Sequence, residues 1–186
     1  MNWVEIVGAI AGLIYLYYQY HANFWLWIWG LIMPIIYIYL FFNNGFYANA
    51  LLNVYYVGMS IYGIVNWRRN KQQEEGKIQS MPRNYWLPLI LILVGLSVAF
   101  YFILGSLNES QAPWLDGTST ALSVVGMWML SRKYYQEWFC WILSEPILIV
   151  MSLVGHMYAT AIMYTIYLVV AIMGYYHWRK IYNSQS

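Results

Sequence analysis

Charge is what this sequence has least of. Only 9% of its 186 residues are Asp, Glu, Lys or Arg, against about 25% in an ordinary soluble domain. None of the four occurs anywhere in residues 6–67. At roughly 20 residues per bilayer crossing, that gap has room for three crossings. Cysteine is nearly absent too. Cys140 stands alone, which excludes an intramolecular disulfide and a cysteine-based metal cluster. The N-terminus carries Glu5 in place of a positive region, so it does not read as a cleavable signal peptide. His21, His156 and His177 fall at the ends of apolar runs and on differing sides. They offer no pair at shared depth for haem or metal, and no Ser–His or Cys–His nucleophile. The expectation is an integral membrane protein that is not an enzyme, with no cofactor and no nucleic-acid partner.

What is abundant is apolar and aromatic: 62% of residues are hydrophobic and 20% are Phe, Trp or Tyr. The runs and their punctuation predict seven membrane helices, at about residues 4–20, 24–42, 47–67, 86–104, 118–130, 138–153 and 158–178. All nine Lys and Arg residues fall in three places. Arg68, Arg69, Lys71, Lys77 and Arg83 lie between spans three and four, Arg132 and Lys133 between five and six, and Arg179 and Lys180 after seven. Seven alternating crossings put these on one side, and the positive-inside rule makes that side the cytoplasm. The N-terminus is then outside and the C-terminus cytoplasmic, with Glu5, Glu109 and Asp116 outside. Residues 70–80, the one sizeable polar segment, read as a solvated cytoplasmic linker.

Spans two and three resemble spans six and seven. Trp29 and Pro34 match Trp141 and Pro146 at an offset of 112. After a one-residue slip in the loop, Tyr47, Tyr56, Gly63, Trp67 and Arg68 match Tyr158, Tyr167, Gly174, Trp178 and Arg179 at 111, and Glu5 matches Asp116 at the same offset. The expected architecture is two parallel three-helix repeats joined by a linker helix. Residues 1–69 form the first repeat, 70–112 the cytoplasmic loop and linker helix, and 113–186 the second repeat. Parallel repeats are one plan of membrane transporters, which bind substrate near the midplane where helices are interrupted. Pro34 and Pro146 free the carbonyls of Gly30 and Ile142 in spans two and six.

One carboxylate interrupts an apolar run. Glu145 follows Trp141 by one turn and precedes Pro146. A charge at the bilayer centre costs about 2.5–3.5 kcal/mol or more, so such groups are usually functional.

With these motifs in place, the chain resembles the PnuC-type vitamin transporters, a bacterial family with a SWEET-like fold. The family pattern Trp-x-x-Trp-x-x-x-Asn in span six is met by Trp138 and Trp141, while Glu145 occupies the Asn position. Asp116, Thr120 and Ser123 opening span five are also similar, as are Gly174, Trp178 and Arg179 closing span seven and the run 47–53 in span three. The resemblance covers nearly the whole chain. It implies a 3+1+3 helix arrangement, a homotrimer in the bacterial inner (cytoplasmic) membrane, and facilitated diffusion of an unphosphorylated vitamin. A cytoplasmic vitamin kinase then traps the substrate by phosphorylation. Members carry nicotinamide riboside, thiamine or riboflavin.

The residues suggest how such a ligand is read. Trp138 and Trp141, one turn apart, present aromatic faces that suit a flat cation, although Trp138 also fits an interfacial aromatic belt. Glu145, one turn further, supplies an anion. Trp29, the repeat mate of Trp141, is another candidate wall. Met33 would correspond to Glu145, making the repeats chemically unequal. Asn49 and Asn53, one turn apart on span three, can bond ligand or clamp helices. Thr120, Ser123, Tyr164 and Tyr167 are candidates for polar lining. An Asn would match a carboxamide donor for acceptor, whereas a carboxylate suits the exocyclic amine or ring nitrogen of an aminopyrimidine. The reading is therefore thiamine as substrate, with nicotinamide riboside as the alternative. Proton coupling through Glu145 is the other open possibility.

Overall fold

A computed structural model describes residues 3–69, 77–107, 110 and 112–185. The expectations placed on Lys71, Glu109 and most of the polar linker fall outside these residues. Seven long helices make up the described chain: α1 (Trp3–Tyr20), α2 (Trp25–Asn43), α3 (Tyr47–Arg69), α4 (Trp86–Ser106), α5 (Pro113–Ser131), α6 (Glu137–Val154) and α7 (Tyr158–Gln185). A single 3-10 turn at Arg83–Tyr85 leads into α4. Helices of this length satisfy every internal backbone group, as lipid requires. By length and composition, α2, the Arg83–Ser106 segment, α6 and α7 can each cross a membrane.

The chain divides into two compact units, Met1–Gly76 and Lys77–Ser186. In the first, α2 packs on α1 and α3. In the second, α6 packs on α5 and α7, and α4 lies against α5. The core of the second unit is Met81, Leu122, Val125, Met129, Tyr134 and Cys140, with Leu93, Leu96 and Ile147 packed against it. This explains how α5 carries Ser119, Ser123 and Ser131: it is largely enclosed by protein, and each hydroxyl that donates within it has a local carbonyl. Ser123 Oγ, for example, donates to the Ser119 carbonyl at 3.0 Å.

The two units repeat one another hydrogen bond by hydrogen bond, in one register. The turn after α1 is closed by Ala22 N–H to Gln19 O (3.0 Å) and Asn23 N–H to Tyr18 O (2.9 Å), and the turn after α5 by Lys133 N–H to Leu130 O (2.9 Å) and Tyr134 N–H to Met129 O (3.1 Å). Positive φ occurs at Ala22 (48°) and Lys133 (57°), and again at Gly45 (79°) and His156 (57°). Each pair is 111 residues apart. The same spacing joins two aromatic notches. Trp27 stands edge-on to Trp67, with centroids 5.6 Å apart at 88°. Trp138 stands edge-on to Trp178 at 5.8 Å and 87°. Both Trp27 and Trp138 are 0% exposed. Each indole lies over a bare Cα, where a Cβ on Gly63 would fall 2.4 Å from Trp27 and one on Gly174 would fall 2.6 Å from Trp138.

This register corrects the expected slip. Offset 111 already holds in α2 and α6, so Trp27 corresponds to Trp138, Trp29 to Cys140 and Pro34 to Glu145. Trp29 is not the mate of Trp141, Met33 is not the mate of Glu145, and the two prolines stand one position out of step. Both helices run unbroken through their prolines.

The described end of the polar linker is docked rather than solvated. Gln79 N–H donates to Lys133 O (2.9 Å), and Tyr135 N–H to Gln79 O (3.1 Å). The Gln136 side chain accepts from Met81 N–H at 3.0 Å and donates to Ser80 Oγ at 2.9 Å. Ile78 and Met81 are buried beneath. Gln136→Ala leaves the Met81 N–H buried without its acceptor, and is expected to destabilise the protein by about 1–3 kcal/mol. Thermal unfolding of the purified variant in detergent checks this, and an unchanged midpoint would show the strap to be dispensable.

Candidate functional site

The candidate side chains of the second unit gather on α6 and its neighbours. Glu145 is 6% exposed. Among the described residues, the buried side-chain polar atoms without a hydrogen-bond partner are Trp27 Nε1, Trp138 Nε1 and Glu145 Oε2. The two indoles occupy equivalent places in the repeats, so their unmet N–H groups belong to the shared notch. The carboxylate oxygen has no such explanation, because its equivalent is Pro34. A buried acceptor left unmet is costly, and Glu145 places an ionisable group where the first repeat has a proline.

Trp138 and Trp141 do not form a common wall. Trp138 is turned to α7, against Gly174 and Trp178. Trp141 is turned to α5, where a Cβ on Gly126 would come within 3.3 Å of its ring. Trp141 Nε1 donates to Glu137 Oε2. Glu137 opens α6, is 0% exposed, and suits the positive end of the helix dipole. Sequence reading placed it in a loop and missed it. The available signal was its position one turn before Trp141. In the turn before α6, burial lowers the pKa of Lys133 below the ordinary lysine value by desolvation.

The remaining candidates are placed as follows. Thr120 and Ser123 lie one turn apart, half-buried, on α5. Tyr164 and Tyr167 meet edge to face on α7, with centroids 6.2 Å apart. In the first unit, Asn53 is buried and its amide donates back to the Asn49 carbonyl at 2.8 Å. That bond is local to α3. Asn49 and Trp29 are half-buried.

Comparison with known proteins decides the family. The family described as nicotinamide mononucleotide transporter matches residues 2–180. The chain belongs to that family. Within it, similarity extends to the nicotinamide riboside transporter PnuC of Escherichia coli strain K12, 26% identical over 96% of this chain and 85% of that one. PnuC of Neisseria mucosa is 25% identical over 100% of this chain and 75% of its own length. A more distant relative, the riboflavin/roseoflavin transporter RibM of Streptomyces davaonensis, is 21% identical over 95% and 84% of the two chains. The fold matches the crystal structure of the vitamin B3 transporter PnuC, with a TM-score of 0.79 at 23% identity, covering 99% of this chain and 83% of that one. The protein is thus a multi-pass vitamin transporter of the PnuC family and not an enzyme.

Proposed function

We propose that this family member carries thiamine into the cytoplasm by facilitated diffusion. The observation that carries the reading is the buried, unmet Oε2 of Glu145. A thiamine aminopyrimidine supplies an exocyclic amine to that acceptor, and its thiazolium supplies a flat cation for the indole face of Trp141. Thr120, Ser123, Tyr164 and Tyr167 of the second unit are proposed as further ligand contacts. Trp138 serves through its packing on Gly174 and Trp178.

The names of the relatives favour a second reading, nicotinamide riboside. A phosphorylated form such as the mononucleotide fits less well. Phosphate recognition calls for Arg or Lys, and all nine of these residues lie outside the apolar runs of the sequence. The same charge map supports a cytoplasmic C-terminus and an external N-terminus. A homotrimer, and trapping by a cytoplasmic kinase, complete the proposal.

Paired calorimetric titrations of the purified protein test the choice of vitamin. Thiamine is expected to bind at least about tenfold more tightly than nicotinamide riboside, a difference of about 1.4 kcal/mol. The reverse preference would overturn the assignment.

A further inference from the structure

We propose that Glu137 is a positioning residue for substrate recognition, fixing the Trp141 indole in the orientation that meets the ligand. This rests on the reading of Trp141 as a ligand-facing ring.

The comparison between repeats isolates what Glu137 adds. The place filled by Trp141 and Gly126 in the second unit is filled by Gly30 and Tyr15 in the first, each pair offset by 111. A Cβ on Gly30 would lie 3.1 Å from the Tyr15 ring, and one on Gly126 would lie 3.3 Å from the Trp141 ring. Each unit therefore seats one ring over one bare Cα at this helix crossing, from opposite helices. Packing is satisfied either way round. At the position of Glu137, the first unit carries Leu26, which is 0% exposed. An apolar side chain thus suffices for the packing duty there.

The second unit instead buries a carboxylate and joins it to the indole N–H of the ring one turn on. A fully buried acid is costly unless it is hydrogen-bonded. The bond holds the indole at its N–H edge, while the Gly126 slot meets its six-membered ring, so the ring is held at two points. The charge also enriches the π face, since a donor bonded to an anion carries more negative charge into its ring. A ring tied in this way presents a fixed face, which lowers the ordering cost of binding. The tied ring and the unmet Glu145 oxygen lie on the same helix, one turn apart.

The test is a binding cycle on the full-length protein in detergent, with thiamine and nicotinamide riboside as probes. Trp141→Phe alone examines the underlying reading, and no loss of binding there would overturn both that reading and this proposal. Glu137→Leu, which copies the first repeat, is expected to fold and to weaken the preferred vitamin about tenfold, the scale of one hydrogen bond to a charged group. In a Trp141→Phe background the same change is expected to add nothing, because the carboxylate then has no indole N–H to hold. An equal loss in both backgrounds, or no loss in the wild-type background, would overturn the positioning role while leaving Trp141 as a ligand contact.

Glu137→Gln, which keeps an acceptor oxygen, is expected to stay within about threefold of wild type, less than one weak hydrogen bond. Its indole N–H resonance from Trp141, assigned by its loss in Trp141→Phe, is expected to shift. If Glu137→Leu does not fold, an unshifted indole resonance in Glu137→Gln overturns the proposal and a shifted one with retained binding upholds it.

Discussion

Replacing Glu145 by Asn lowers thiamine affinity by about 10- to 100-fold, the range for one lost hydrogen bond to a charged group. Nicotinamide riboside loses far less. The Glu145 oxygen Oε2 is buried and has no hydrogen-bond partner among the described residues. Filling it removes a standing penalty as well as making a bond. An Asn side chain is shorter by one methylene and offers both donor and acceptor, which suits a carboxamide but halves its fit to an amine donor. Glu145→Gln separates charge from length. It is expected to lose most of the thiamine affinity too, since the amine donor then meets a neutral acceptor in place of a charged one. The measurement is titration of both vitamins against wild type and the two variants. An equal loss for both vitamins would make Glu145 a general partner for cations or a structural group.

The second large effect is on stability. A single methyl at Gly174 is placed 2.6 Å from the Trp138 indole, below any van der Waals contact. Trp138 is fully buried and braced edge-on by Trp178, so the ring has no free direction of retreat. Overpacking of this kind typically costs about 1–3 kcal/mol, and sometimes more. The twin at Gly63 meets Trp27 at 2.4 Å and is expected to behave alike. Gly63→Ala and Gly174→Ala should each lower the thermal midpoint in detergent by several degrees, on the order of 4 °C per kcal/mol or less for a chain of this size. Trimming the ring by Trp138→Leu in the Gly174→Ala background should recover part of the loss, because the two sites share one volume. A Gly174→Ala protein as stable as wild type would show that the two helices part easily there.

The repeat shows where sequence reading succeeded and where it slipped. The starts of α3, α4 and α7 coincide with the expected ones at Tyr47, Trp86 and Tyr158. Long apolar runs between polar breaks are a strong signal, since lipid admits little else. The start of α5 was missed by five residues. Pro113 and Asp116 read as loop, yet proline suits a first helical turn and a carboxylate suits its positive end. Ser110 completes that entry by donating to Asp116 and accepting from Ala112 N–H at 3.0 Å. The far end of α7 was drawn seven residues short because its last two turns are polar.

The one-residue slip arose from two coincidences. Trp29 with Trp141 and Pro34 with Pro146 share an offset of 112 by residue type. The turns decide for 111, but Ala22 and Lys133 at their left-handed positions do not advertise positive φ, and His156 does so only weakly. Gly45 gives the strong signal.

The candidate site was legible where chemistry is conspicuous. Glu145 stood out in an apolar run, and it is buried with an unmet oxygen. Side-chain direction was not legible. Trp138 and Trp141 share a helix side by spacing, yet one packs on α7 and the other on α5, because Gly174 and Gly126 offer slots in different directions. Glu137 was hidden by the loop assignment. Once α6 is seen to begin there, its i to i+4 relation to Trp141 follows from helical geometry.

Uptake into proteoliposomes tests the central claim most directly. Thiamine and nicotinamide riboside are supplied at equal, low external concentration, with and without a pH gradient. Thiamine is expected to enter at least about tenfold faster, the rate expression of a 1.4 kcal/mol preference, and to level off at the external concentration whatever the gradient. Faster entry of nicotinamide riboside, or thiamine accumulation driven by the gradient, would contradict it.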